Sequence, residues 1–189
     1  MRPAHATPPW EGGILLAAAV ALALSAGAPV SCASDPGAGA DGGATCFDYA
    51  SFDGAAPKVG FRKDVLPIFR GSCALSSSCH NLASGAPAER PYLGTGLTSP
   101  EPTDDEIRAI FEKNVGVKST KAKGMNLVEP GKPAQSFLMH KVDGTLRCGD
   151  IAGCSGATCG AGMPYGQPAL SQERRDTVRR WIAQGAKND

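Results

Sequence analysis

Seven cysteines stand in this chain of 189 residues, and the compartment it enters decides whether they become bridges, metal ligands or attachment points. Residues 14–28 (ILLAAAVALALSAGA) form an apolar run of fifteen. That length suits a signal-peptide core and falls short of the roughly 20 residues a membrane span needs. Arg2 is its weak positive flank. Export is therefore expected, with residues 1–31 as signal peptide, and an exported chain sits where disulfides form and persist.

Residues 29–32 (PVSC) resemble a bacterial lipobox, with a small residue just before the cysteine to be acylated and Pro29 in place of the usual Leu. Cys32 is accordingly the expected lipid-attachment site, and ordinary cleavage that leaves it a thiol is the alternative. Setting Cys32 aside leaves Cys46, Cys73, Cys79, Cys148, Cys154 and Cys159. An even six allows fifteen pairings, and spacing does not choose among them. Residues 33–45 (ASDPGAGADGGAT) carry no large apolar side chain and read as a flexible linker, which puts the folded domain at 46–189. Anchored this way, the protein is expected in the periplasm or on the outer membrane, touching lipid only through its acyl group.

With 24 Gly and 15 Pro, much of the chain must be loop, and 6% aromatics argue against a large β-sandwich. The expected class is mostly α. The 19 Lys+Arg nearly cancel the 18 Asp+Glu, and no basic block stands out, so a nucleic-acid footprint is excluded.

Four helices follow from caps and apolar spacing. Asp64 is the expected first N-cap, with Pro67 at N3 and a stripe of Val65, Ile68 and Phe69 ending at Gly71. Thr103-Asp104-Asp105-Glu106 is a capping box with acidic side chains in the positive first turn, followed by Ile107, Ile110 and Phe111 on one face, with Gly116 beyond its end. Pro133 suits N1 of a third, whose Phe137, Leu138 and Val142 share a face up to Gly144. Ser171 caps the last, which buries Val178, Trp181 and Ile182, turns its Gln, Glu, Arg and Asp to water, and stops at Gly185. Loops 81–102 and 144–170 are far longer than usual, which marks them as functional or stapled.

Two clusters carry chemistry. In the first, residues 73–80 (CALSSSCH), Cys79 precedes His80: a thiol can bond a haem vinyl group while the neighbouring imidazole swings onto the iron. Ser76 stands where the usual C-x-x-C-H has its first Cys, and Cys73 lies three residues upstream. Attachment through Cys79 alone, attachment through both thiols, and a Cys73–Cys79 disulfide are the three readings this spacing leaves. In the second, residues 160–164 (GAGMP), Met163 offers a soft thioether behind small residues that allow close approach to a flat ring.

The order of these pieces resembles the c-type cytochromes, in particular the exported, often lipid-anchored cytochrome c-like domains of planctomycetes and myxobacteria. The matching residues are 61–69 (FRKDVLPIF) leading into Cys79-His80, 127–133 (LVEPGKP) followed by Ser136, Met163-Pro164, Leu170-Ser171, and 181–186 (WIAQGA). The resemblance implies a small cytochrome c-like helical domain whose terminal helices cross, bringing Phe69 near Trp181. It implies haem c on Cys79 with His80 and Met163 as axial ligands of the metal, and a role as a monomeric electron carrier for a redox partner protein, with no catalysis of its own. If haem takes Cys73 and Cys79, two disulfides among Cys46, Cys148, Cys154 and Cys159 remain. The competing class is a haemless, disulfide-stapled structural or binding lipoprotein on the same scaffold.

Other residues read as structural. Zinc is disfavoured because its ligands usually come as C-x(2–4)-C pairs. His140 is expected to be a surface or satisfied core histidine, Met125 loop packing and Met139 helix filler. Capping accounts for Asp104, Asp105 and Glu106.

Overall fold

The computed structural model describes residues 46–83, 90–148, 151, 154 and 159–189. The signal segment, Cys32 and the linker lie outside the described residues. Four helices, α1 (Leu66–Ser72), α2 (Asp104–Asn114), α3 (Phe137–Asp143) and α4 (Gln172–Ala183), make up the regular structure, with no β-strand among the described residues. Only isolated bridges occur, such as Val115 with Val128 and Asn126 with Ser136.

The first helical segment starts earlier than Asp64. A π-helical turn, Phe61–Val65, runs directly into α1, and Gly60 is its cap residue. The Asp64 carboxylate reaches back to accept the Gly60 N–H at 2.9 Å, while Asp189 Oδ1 takes the Phe61 N–H at 3.0 Å. The reason is packing: Phe61 is fully buried, and the turn places it 4.7 Å from Phe111 and 5.3 Å from Trp181, centroid to centroid. Pro67 then falls in the first turn of α1, where no intrahelical donor is needed. Phe69 meets Trp181 edge to face at 6.3 Å, so α1 and α4 do bring these rings together. The indole N–H is satisfied by the Lys187 carbonyl at 2.9 Å, which removes the penalty for burying Trp181.

In α2 the capping box is complete: Thr103 Oγ1 accepts from Glu106 N, and Glu106 Oε2 accepts from Thr103 N. Thr103→Ala is expected to lower stability by about 1 kcal/mol. A shift of the urea midpoint at constant slope checks it; an unmoved midpoint would mean that the acidic first turn suffices.

The third helix is broken in two. Pro133–Gln135 is a single 3-10 turn, Ser136 is extended, and α3 begins at Phe137. Ser136 is fully buried, its hydroxyl accepting the Glu129 N–H at 2.8 Å and donating to the Lys132 carbonyl at 3.0 Å. A serine that bonds neighbouring backbone offers the chain an alternative to the helical ladder, and here that alternative wins. Gly144 closes α3 at φ 69°, a left-handed conformation that suits glycine.

α4 is capped by Ser171 and buries Val178, Trp181 and Ile182. Its polar side is not wholly in water. Arg179 is 1% exposed, paired with the fully buried Asp143 carboxylate at 2.6 Å and stacked 3.5 Å above the Phe47 ring.

Candidate functional site

Residues 73–80 leave α1 and fold back on themselves. The Cys73 N–H still bonds the Phe69 carbonyl, the Cys79 N–H bonds Ser76 O at 3.0 Å, and the His80 N–H returns to Cys73 O at 3.2 Å. The five residues between the two cysteines are thus accommodated as a closed turn. The His80 carbonyl in turn receives the Leu93 N–H at 2.8 Å, which ties the turn to the far end of the 81–90 connection.

His80 is held by its ring as well. Nδ1 lies 2.8 Å from the Pro91 carbonyl oxygen, which can only accept, so the proton sits on Nδ1. In the neutral imidazole Nε2 is therefore a bare lone pair, and it has no hydrogen-bond partner among the described residues. Burial pushes the His80 pKa down, the Pro91 bond opposes this, and the charges of Arg90 and Lys141 lower it further. A neutral ring fixed through its other nitrogen to a carbonyl is how a metal-binding histidine is prepared. Beside it, the buried Asn81 Oδ1 also lacks a partner among the described residues.

The two thiols differ. Cys73 is a free, buried thiol within the main core, and desolvation pushes its pKa up to about 12. The Cys73–Cys79 bridge is therefore not formed. Cys79 is 3% exposed, 3.4 Å from the Ser76 hydroxyl, and disulfide-bonded to a partner outside the described residues.

Met163 is half-buried and packs against the main core. Its N–H donates to the Lys141 carbonyl at 2.7 Å. The two proposed axial ligands share this neighbour, since the Lys141 charge also acts on His80. Desolvation, aided by Lys121, lowers Lys141 to about 8. Nothing in the sequence beyond the position of Lys141 at helical spacing from Phe137 singled it out.

The remaining cysteines form Cys46–Cys148 and Cys154–Cys159, two bridges among the four named above. His140 uses both nitrogens, 2.8 Å from Thr145 Oγ1 and 2.9 Å from the Ala134 carbonyl, and is buried. It borders a cavity of about 460 Å³ that also touches Met125 and Glu129 but neither His80 nor Met163. Met125 and Met139 are buried packing residues. Asp104 and Asp105 pair with Arg62 and Arg108 on the surface. Among the described residues no group of three His, Cys, Asp or Glu side chains is placed to hold a metal ion. A site of one imidazole and one thioether would be of another kind, since a thioether is not among these side chains. No helix among the described residues is long and apolar enough to cross a membrane.

Comparison with known proteins finds no match for this chain among protein-family models, curated proteins or solved structures.

Proposed function

We propose that this protein is an exported electron carrier in which haem c is linked to Cys79 and its iron is held between His80 and Met163, with Cys32 as lipid anchor and another redox protein as partner. The observation that carries this reading is His80: neutral, oriented by Pro91 through Nδ1, and with Nε2 unpartnered among the described residues. His140, by contrast, uses both of its nitrogens on the protein. The donor set fits the group, since imidazole and thioether are the pair that keeps haem iron in electron transfer. A bound haem supplies one-electron exchange between ferric and ferrous iron. The chain would supply orientation: His80 offers its Nε2 lone pair, Met163 a thioether, and the aromatic cluster of Phe61, Phe69, Phe111 and Trp181 ties α1, α2 and α4 together.

Single attachment through Cys79 is the favoured form. The Cys73 thiol, deep in the core with its pKa pushed up to about 12, has almost no thiolate at neutral pH. Thioether formation would add the Cys79 sulfur to one carbon of a vinyl group and its hydrogen to the other, which requires Cys79 as a thiol, its disulfide first opened by an external thiol reductant. Its disulfide in this structure is the observation that favours the second reading, a haemless stapled protein, and the carrier reading requires that bridge to be open.

Intact mass and visible spectrum of the full chain, exported from a host with haem-maturation machinery, decide between them. One covalent haem is expected, lost in Cys79→Ser and kept in Cys73→Ser. A colourless protein whose mass contains no porphyrin would refute the carrier.

A further inference from the structure

The segment 159–163 follows α3 as irregular chain, and one residue dictates its path. Lys141 Nζ donates to the Cys159 carbonyl at 2.5 Å and to the Ala161 carbonyl at 2.7 Å. Its own carbonyl accepts the Met163 N–H at 2.7 Å. That carbonyl belongs to the last turn of α3, where the helix offers no donor of its own. Gly160 has φ +68°, and a Cβ there would lie 3.4 Å from Nζ; at Gly162 it would lie 3.5 Å from the Lys141 carbonyl oxygen. The chain wraps the lysine stem, with glycines where it comes nearest. The ammonium is further held 5.4 Å from the centre of the Phe137 ring.

We infer that Lys141 is a positioning residue for the Met163 thioether, clamping the ligand-bearing segment to α3 through Nζ on residues 159 and 161 and through its carbonyl on residue 163. The inference rests on Met163 being an iron ligand. A lysine that served packing alone would contribute apolar stem and nothing to the place of the sulfur.

Lys141→Met keeps the stem and removes the ammonium. In the haem-loaded full chain it is expected to abolish the long-wavelength charge-transfer band of a thioether-bound ferric haem, with covalent haem content unchanged. Lys141→Arg, which retains charge and donors, should keep the band. In the haem-free protein, hydrogen exchange at the Met163 amide should accelerate about tenfold or more in Lys141→Met, the equivalent of one lost charged hydrogen bond. A wild-type chain that takes up no haem removes the iron-ligand reading, while this exchange measurement still decides the clamp. An intact band with unchanged exchange overturns the positioning role, as does a loss of stability with the band intact. Lys141→Gln carries the same readings if Lys141→Met does not fold.

Discussion

Asp143→Ala is expected to destabilise the protein by about 3–5 kcal/mol, far more than a surface ion pair is worth. The Asp143 and Arg179 side chains are 0% and 1% exposed, so neither charge has water to fall back on. Asp143 Oδ1 lies 2.6 Å from Arg179 and 3.7 Å from Arg175, and Oδ2 accepts the Tyr49 hydroxyl at 2.8 Å. Arg179 also pairs with Asp176, while its planar head covers the Phe47 ring, and its Nε has no partner among the described residues. Deleting the carboxylate leaves a desolvated guanidinium with half its compensation. The expected consequence is non-additivity: Asp143→Ala and Arg179→Met together should cost less than the sum of the two alone, by about 1–3 kcal/mol. Four denaturation curves, with the disulfides intact, close this cycle. Additive losses would show that the two charges do not depend on one another.

The same cluster marks where sequence reasoning runs out. Local signals were legible: the caps at Thr103 and Ser171 and the left-handed Gly144 are each decided within a few residues. Asp64 was misleading because a strong capping residue competes with a buried aromatic upstream, and burying Phe61 against Phe111 and Trp181 extended the helical path by a π turn. Ser136 was invisible as a break, since its hydroxyl bonds the backbone of Glu129 and Lys132, groups that no side-chain pattern encodes. Arg179 reads as a solvated helix residue until Asp143 and Phe47, remote in the chain, close over it. At the candidate site, the residues whose chemistry is intrinsic, Cys79, His80 and Met163, announce themselves. Those that act through backbone carbonyls do not. Pro91 orients the imidazole and Lys141 holds the methionine segment by contacts that no side-chain pattern encodes.

The two disulfides that join described residues should differ in worth by a factor of about two. Cys46–Cys148 spans 102 residues of sequence and Cys154–Cys159 spans 5. In the chain-entropy picture the first restricts the unfolded chain by about 4.7 kcal/mol and the second by about 2 kcal/mol. The long bridge does more than limit the unfolded state. It fixes the start of the domain, from which Phe47, Tyr49 and Phe52 pack around Arg179, with Phe47 and Tyr49 edge to face at 4.9 Å. Cys46→Ser/Cys148→Ser is therefore expected to lose about 4–5 kcal/mol and to expose the 47–52 segment to hydrogen exchange before the rest of the molecule opens. Cys154→Ser/Cys159→Ser should lose less than half as much and leave that segment protected. Because the Tyr49 hydroxyl reaches Asp143 only while the segment is docked, Asp143→Ala should also cost less in the Cys46/Cys148 variant than in the native protein. Equal losses from the two double substitutions, or undiminished protection at 47–52, would place the stability of this end of the fold in its packing, with the long bridge a bystander.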